Sequence, residues 1–149
     1  ALDRYGWRAT EQTPSWLTDD RAQTLTLARA QFVLSQHAYA DCLHRCDLAL
    51  AMAGTATEQF VGLGKPAIIF PGTGPQFTPA FAEAQSRLLG SSVILLKRPE
   101  AAIDTITRLL QSPDWLQTIA DNGRRRLGTV GAARRIAECS VRELCQIDP

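Results

Sequence analysis

Residues 47–71 read DLALAMAGTATEQFVGLGKPAIIFP, and few folds accommodate that order. Two apolar stretches too short for helices, 47–52 and 66–70, bracket a Gly54-Thr55 turn. Between them, 56–63 has the length and spacing of a short helix, closed by Gly64-Lys65-Pro66. The pattern is strand, turn, helix, strand, which is one βαβ unit. Parallel strands need such a crossover, and a sheet built from them is covered by helices. In open α/β sheets, ligands bind beyond the carboxyl ends of the strands. The free amides and dipole of a helix N-terminus favour an anion at that corner.

The alternation continues downstream. A glycine-rich loop, Pro71 to Pro75, leads to Thr78-Pro79, an N-cap threonine with proline at the first helical position. That helix is expected to run to Leu89 and stop at Gly90. Residues 92–96 form another apolar strand. Pro99 opens a helix ending near Gln111, and Ser112-Pro113 opens the next by the same device. The last helix follows Gly131 and carries Ile136, Ala137, Val141 and Leu144 on one side. The fold class expected is α/β: a Rossmann-like parallel sheet with helices on both faces.

The first thirty residues are less regular. Residues 1–30 read as a poorly defined N-terminal segment and linker, with 31–149 as the domain. Polar residues around Pro14 and Trp16 indicate a loop over 10–20, and Leu25, Ala28 and Phe32 at helical spacing suggest a helix over 20–30. A strand is expected over 31–36. A short helix follows over 39–46, with Leu43 and Cys46 turned inward.

A hydrophobic fraction of 45% in 149 residues is enough for one real core. The 16 basic and 15 acidic groups nearly cancel, so no overall field draws in nucleic acid. No stretch approaches the roughly 18 apolar residues of a membrane span. Cys42, Cys46, Cys139 and Cys145 form no Cys-x-x-Cys pair and read as buried free thiols of a reducing cytoplasm. No metal site is expected. His37 and His44 lack neighbours that would make a triad. The arginine groups 124–126 and 134–135 read first as solvated helix faces, with an anionic ligand or membrane face as the alternative.

Candidate site residues cluster at the strand ends. Gly54 lets a phosphate or sugar approach the backbone. Thr55 and Thr57 offer hydroxyls beside the amides of the following helix, and Gly72, Thr73, Gly74 and Gln76 form a second corner at the same sheet edge. A bland explanation competes with the first corner. Thr55 and Glu58 match a capping box, which accounts for both residues without a ligand.

The Gly54-Thr55-Ala56-Thr57 core, Gly64-Lys65-Pro66, and the terminal stretches 123–128 and 131–136 resemble the donor-binding half of GT-B glycosyltransferases. The nearest likeness is to lipid A disaccharide synthase and its cyanobacterial relatives of unsettled function. The resemblance covers about residues 31–144 and implies a nucleotide-sugar site, with a UDP-sugar as donor substrate and no separate cofactor. Gly54, Thr55, Ala56 and Thr57 would then lie against the diphosphate and sugar, and Gly72 to Gln76 near the sugar ring. Where the family carries a ribose-binding glutamate, seven residues before Pro66, this chain has Gln59, whose amide also bonds hydroxyls.

The resemblance further implies the C-terminal half of a GT-B fold, lacking the first βα unit of its domain and the N-terminal acceptor-binding domain. No catalytic residue is assigned within this chain, and the isolated fragment is expected to be inactive. The implied setting is cytoplasmic, with peripheral contact at the inner membrane if the acceptor is a lipid. A UDP-sugar 2-epimerase-like half and a non-catalytic binding or scaffold module remain as alternatives.

Overall fold

The computed structural model describes residues 2–145 and contains two compact units, Ala1–Cys46 and Asp47–Pro149. Residue 1 and residues 146–149, which end the expected segments 1–30 and 31–149, lie outside the described residues.

The first unit is an antiparallel sheet of β1 (Arg8–Thr10), β2 (Gln23–Leu27) and β3 (Ala30–Leu34), in that order, followed by α1 (Tyr39–Arg45). The helix expected over 20–30 does not form; the segment is β2 and the turn into β3. Thr24 and Thr26 are β-branched and suit a strand. Both edges of β2 are also paired, with Leu25 opposite Ala9 on one side and Phe32 on the other. The strand expected over 31–36 is β3, but its partner is β2. In α1, Leu43 is half-buried as expected, whereas Cys46 lies just past the last turn and is exposed. The loop 11–22 between β1 and β2 has no regular structure beyond short turns.

The second unit alternates throughout: β4 (Ala49–Ala51), α2 (Thr55–Gly62), β5 (Ala67–Ile69), α3 (Pro79–Leu89), β6 (Val93–Leu95), α4 (Ala102–Leu110), α5 (Pro113–Leu127) and α6 (Ala132–Cys145). The strands are parallel in the order β4-β5-β6, with Leu50, Ile68 and Ile94 in register. Helices flank the sheet, and the fold is Rossmann-like α/β. Central β5 is fully buried. Ile68 and Ile69 contribute roughly 2–3 kcal/mol each by leaving water. Val61 of α2, Ala82 and Leu89 of α3, Phe77 and Val93 join Ala67 and Ile69 in one core cluster.

Local signals explain the helix ends. Thr78 accepts a bond from the Phe81 amide at 3.2 Å, with Pro79 next. Gly90 ends α3 at φ 61°, a conformation a side chain would strain. Ser112 precedes Pro113 as expected but makes no side-chain cap bond.

A small buried polar network fastens α5 beside this turn. The Ser92 hydroxyl donates to the Ile119 carbonyl at 2.6 Å. The Asn122 amide donates to the Leu89 carbonyl at 2.7 Å and to Ser92 Oγ at 2.9 Å. One position along, Gly123 lets α5 approach the Val61 carbonyl of α2 closer than any Cβ permits. By contrast, Ile136, Val141 and Leu144 of α6 are all exposed.

The close approach at Gly123 gives a clean test. Alanine is the better helix former by about 1 kcal/mol, yet here its methyl meets rigid backbone. Gly123→Ala is expected to destabilise the chain by about 1–3 kcal/mol, read as a lowered urea midpoint by circular dichroism. A neutral or raised midpoint contradicts the packing described.

Candidate functional site

The β4–α2 corner is built on Gly54. Gly54 is the N-cap of α2 and makes no side-chain cap bond. The helix starts one residue earlier than expected, so Thr55 occupies its first turn rather than the capping position. The capping box is therefore absent, and Thr55 keeps an exposed side chain. Ala56 and Glu58 are half-buried, and Gln59 is exposed on the next turn.

Thr57 does something different. Its side chain is 1% exposed, and its hydroxyl donates to the Ala53 carbonyl at 2.6 Å. The hydroxyl tightens the turn from inside, and only the backbone of Thr57 belongs to the helix head.

The second glycine corner lies beside the first. The Gly72 amide donates to the Phe77 carbonyl at 2.8 Å, closing the loop that contains Thr73, Gly74 and Gln76. A Cβ on Gly72 would stand 2.5 Å from the Met52 terminal methyl, so Met52, two residues before Gly54, packs on the Gly72 backbone. The two corners thus share one strip of surface. Thr73, Gly74 and Gln76 are exposed at the loop tip.

The first turn of α3 forms a wall. Phe81 is 42% exposed, and its ring edge lies 3.5 Å from where a Gly54 Cβ would be. Buried Phe77 supports it, with ring centroids 5.3 Å apart. One turn further on, Gln85 is 4% exposed, and its amide nitrogen donates to the carbonyls of Ala53 at 3.1 Å and Gly54 at 3.2 Å.

Sequence reasoning singled out neither Phe81 nor Gln85. A signal for Gln85 exists: it occupies an inward position between Ala82 and Leu89, where an apolar residue belongs.

The arginine groups stand on solvated helix faces, as expected, and also bond the protein. Arg124 meets Asp121 at 3.4 Å, and Arg126 donates to the Leu88 carbonyl at 3.1 Å. Arg134 pairs with Glu138 at 2.7 Å, and Arg135 donates to the carbonyls of Thr129 and Val130.

The first unit holds a concavity of about 530 Å³ lined by Asp19, Arg21, Ser35 and His37 among others. Asp19 is buried there. It accepts from the Ser35 hydroxyl at 2.6 Å and from the amides of Arg21, Gln36 and His37 at 3.0–3.2 Å. These donors, Ser35 foremost, hold its carboxyl down to about 2 against the opposite push of burial. A carboxylate so saturated is a loop staple rather than an acid or base. At the neighbouring loop, Asp41 accepts from the Thr18 hydroxyl and amide, both at 2.7 Å, which lowers its pKa too. Burial raises the Cys42 thiol, the opposite of what a reactive cysteine needs.

Among the described residues, no group of His, Cys, Asp and Glu side chains could hold a metal ion. All four cysteines are free, but the expected burial holds only in part for Cys42, and Cys46, Cys139 and Cys145 are exposed. Among the described residues no helix is long and apolar enough to cross a membrane. No protein-family model matches this sequence, nor does any curated protein or solved structure.

The Asp19 staple has a pH signature. Its folded pKa lies below the unfolded value of about 3.9, so its contribution to stability is present above that value. It is lost as pH falls from about 4 through about 2. Carboxyl-carbon NMR is expected to give Asp19 a midpoint near 2, and Asp19→Asn should remove this part of the acid sensitivity. A midpoint near 4 contradicts the staple.

Proposed function

We propose that the second unit is the nucleotide-sugar-binding part of a hexosyltransferase related to lipid A disaccharide synthase, with a UDP-sugar as donor. One observation carries the reading: the helix head at Gly54, Thr55 and Ala56 lies open beside the Gly72 loop, with an aromatic wall at Phe81. A diphosphate suits the amides and positive dipole end of α2. A sugar or base has the Phe81 ring and the loop 72–76 to lie against. As the glycosidic bond breaks, negative charge grows on the departing UDP, and fixed amide dipoles stabilise it without reorganising.

On this reading Gln59 offers its amide to the ribose hydroxyls. The acceptor belongs to a separate N-terminal domain, and the isolated chain binds donor without transferring sugar. The working place is the cytoplasm, at the membrane surface where a lipid acceptor lies. A second reading, a binding module that keeps the fold without the chemistry, draws support from the inward Thr57 hydroxyl and from Gln59 in place of an acid.

Titration of the chain with UDP and with UDP-N-acetylglucosamine, followed by amide chemical shifts, tests the proposal. Shifts are expected at Gly54, Thr55 and Gln76; a silent spectrum at millimolar ligand removes the donor-site reading. Gly54→Ala supplies a second check. The backbone at Gly54 has negative φ and the added carbon meets only ordinary contact, so the fold should persist. The added methyl should hinder close approach and weaken UDP binding by roughly tenfold, about 1.4 kcal/mol. Unchanged affinity places the ligand elsewhere.

A further inference from the structure

Gln85 is a buried amide on a helix whose other buried residues, Ala82 and Leu89, are apolar, and its hydrogen bonds account for the shape of the β4–α2 corner. Its side-chain nitrogen carries two protons, directed at the Ala53 carbonyl, 3.1 Å away, and the Gly54 carbonyl, 3.2 Å away. Each carbonyl has one further donor: the Thr57 hydroxyl for Ala53, and the Glu58 amide for Gly54. Both carbonyls are thus fully used on the interior side.

The consequence follows from peptide geometry. In a planar trans peptide the C=O of one residue and the N–H of the next point in opposite directions, and no described peptide bond is cis. Drawing the Ala53 and Gly54 carbonyls inward therefore turns the N–H groups of Gly54 and Thr55 outward. These two donors continue the row of unbonded amides at the head of α2. One side chain on α3 sets two successive peptide planes on the other side of the turn.

The other half of the Gln85 side chain strengthens the case. Its Oε1 is buried and has no hydrogen-bond partner. Rotating the amide would not help, because it would set the oxygen against two carbonyls. A leucine or methionine would fill this inward position without stranding a polar atom. The amide is explained by the two carbonyls it holds.

We infer that Gln85 is the positioning residue of the corner: it aims the Gly54 and Thr55 amides at the anionic group of the ligand. The inference rests on the donor-site reading for the identity of that group, though not for the conformation itself. Gln85 does not touch the ligand. It fixes the direction of donors that do, so its removal blurs recognition while leaving the sheet and helices in place.

The test uses Gln85→Leu and Gln85→Glu in the full chain, with UDP as probe. In the ligand-free Gln85→Leu protein, amide signals from Gly54 to Thr57 should move and exchange faster, while those of core residues Leu109 and Ile119 stay. Gln85→Glu keeps the volume but has no proton to donate once its carboxyl is ionised, which burial against two carbonyl oxygens postpones to higher pH. It should show the same local change at the alkaline end of a pH series and recover partly at the acid end, where the buried carboxyl keeps its proton and bonds one carbonyl. The wild-type chain over the same pH series controls for Glu58 on α2 and for Glu83 and Arg87 on α3. Affinity for UDP should fall roughly tenfold in Gln85→Leu, and in Gln85→Glu at the pH where its carboxyl is ionised.

Corner amides that match the wild type in both variants overturn the inference. So do shifts spread evenly over the unit, or a Gln85→Glu change that acid does not reverse. These readouts come from the ligand-free chain and decide the role of Gln85 even if UDP leaves the wild-type spectrum unmoved. That result removes the donor-site reading instead.

Discussion

Ala67, Ile68 and Ile69 of β5 have no exposed surface, and a strand can leave water on both faces only if its backbone is paired on both edges. The parallel neighbours β4 and β6 supply that pairing in register. Parallel neighbours in turn require crossover helices, and α2 and α3 fill that role with Val61, Ala82 and Leu89 in the core. The chain has no freedom to place its turns elsewhere. Each strand must end at the same sheet edge, and each helix must start there, so glycine corners and helix amides collect along one line. The open corner is a by-product of burying β5 before it is anything else.

Packing on the far side is tightened by contacts that tolerate little change. The α5 helix enters against α2 at Gly123 and is locked to the end of α3 by Asn122 and Ser92. That network keeps α3 from sliding along its axis, which matters for Gln85 and Phe81 on the same helix. A shift of α3 by a fraction of a turn would withdraw Gln85 from the Ala53 and Gly54 carbonyls. Rigid packing at the C-terminal end of α3 and peptide orientation set from Gln85, about one turn before it, are thus parts of one arrangement.

The second unit was largely legible in the sequence because its signals are local and agree with one another. Thr78-Pro79 and Gly90 bound α3, and apolar runs of the right length mark β4, β5 and β6. In the first unit β3 and α1 could be read, but β1 and β2 could not. Leu25 and Ala28 fit helical spacing, but Thr24 and Thr26 gain more from antiparallel pairing. Ala28 takes φ 52° in the turn between β2 and β3, a position where glycine or asparagine would have announced a hairpin. Asp19 was equally hidden, since its partners Ser35, Gln36 and His37 lie far along the chain. At the corner, the glycines could be read, but the clamp from α3 could not. It joins residues more than thirty positions apart, a separation no local pattern encodes.

The Gly54-Thr55-Ala56-Thr57 run looks in sequence like two hydroxyls offered to one ligand, and helix geometry forbids it. Residues two apart on an α-helix do not share a face. With Thr55 in the first turn, its side chain and that of Thr57 diverge. Thr55 remains exposed while Thr57 turns into the protein and bonds the Ala53 carbonyl. That same carbonyl accepts Gln85, so Thr57 and Gln85 grip one atom from two helices. The outward donors that result are peptide N–H groups, which cannot rotate away as hydroxyls can. Recognition through such fixed dipoles favours a group carrying several anionic oxygens over a neutral polyol. Under the proposed donor-site reading, this is the physical ground for placing the diphosphate rather than the sugar at the head of α2.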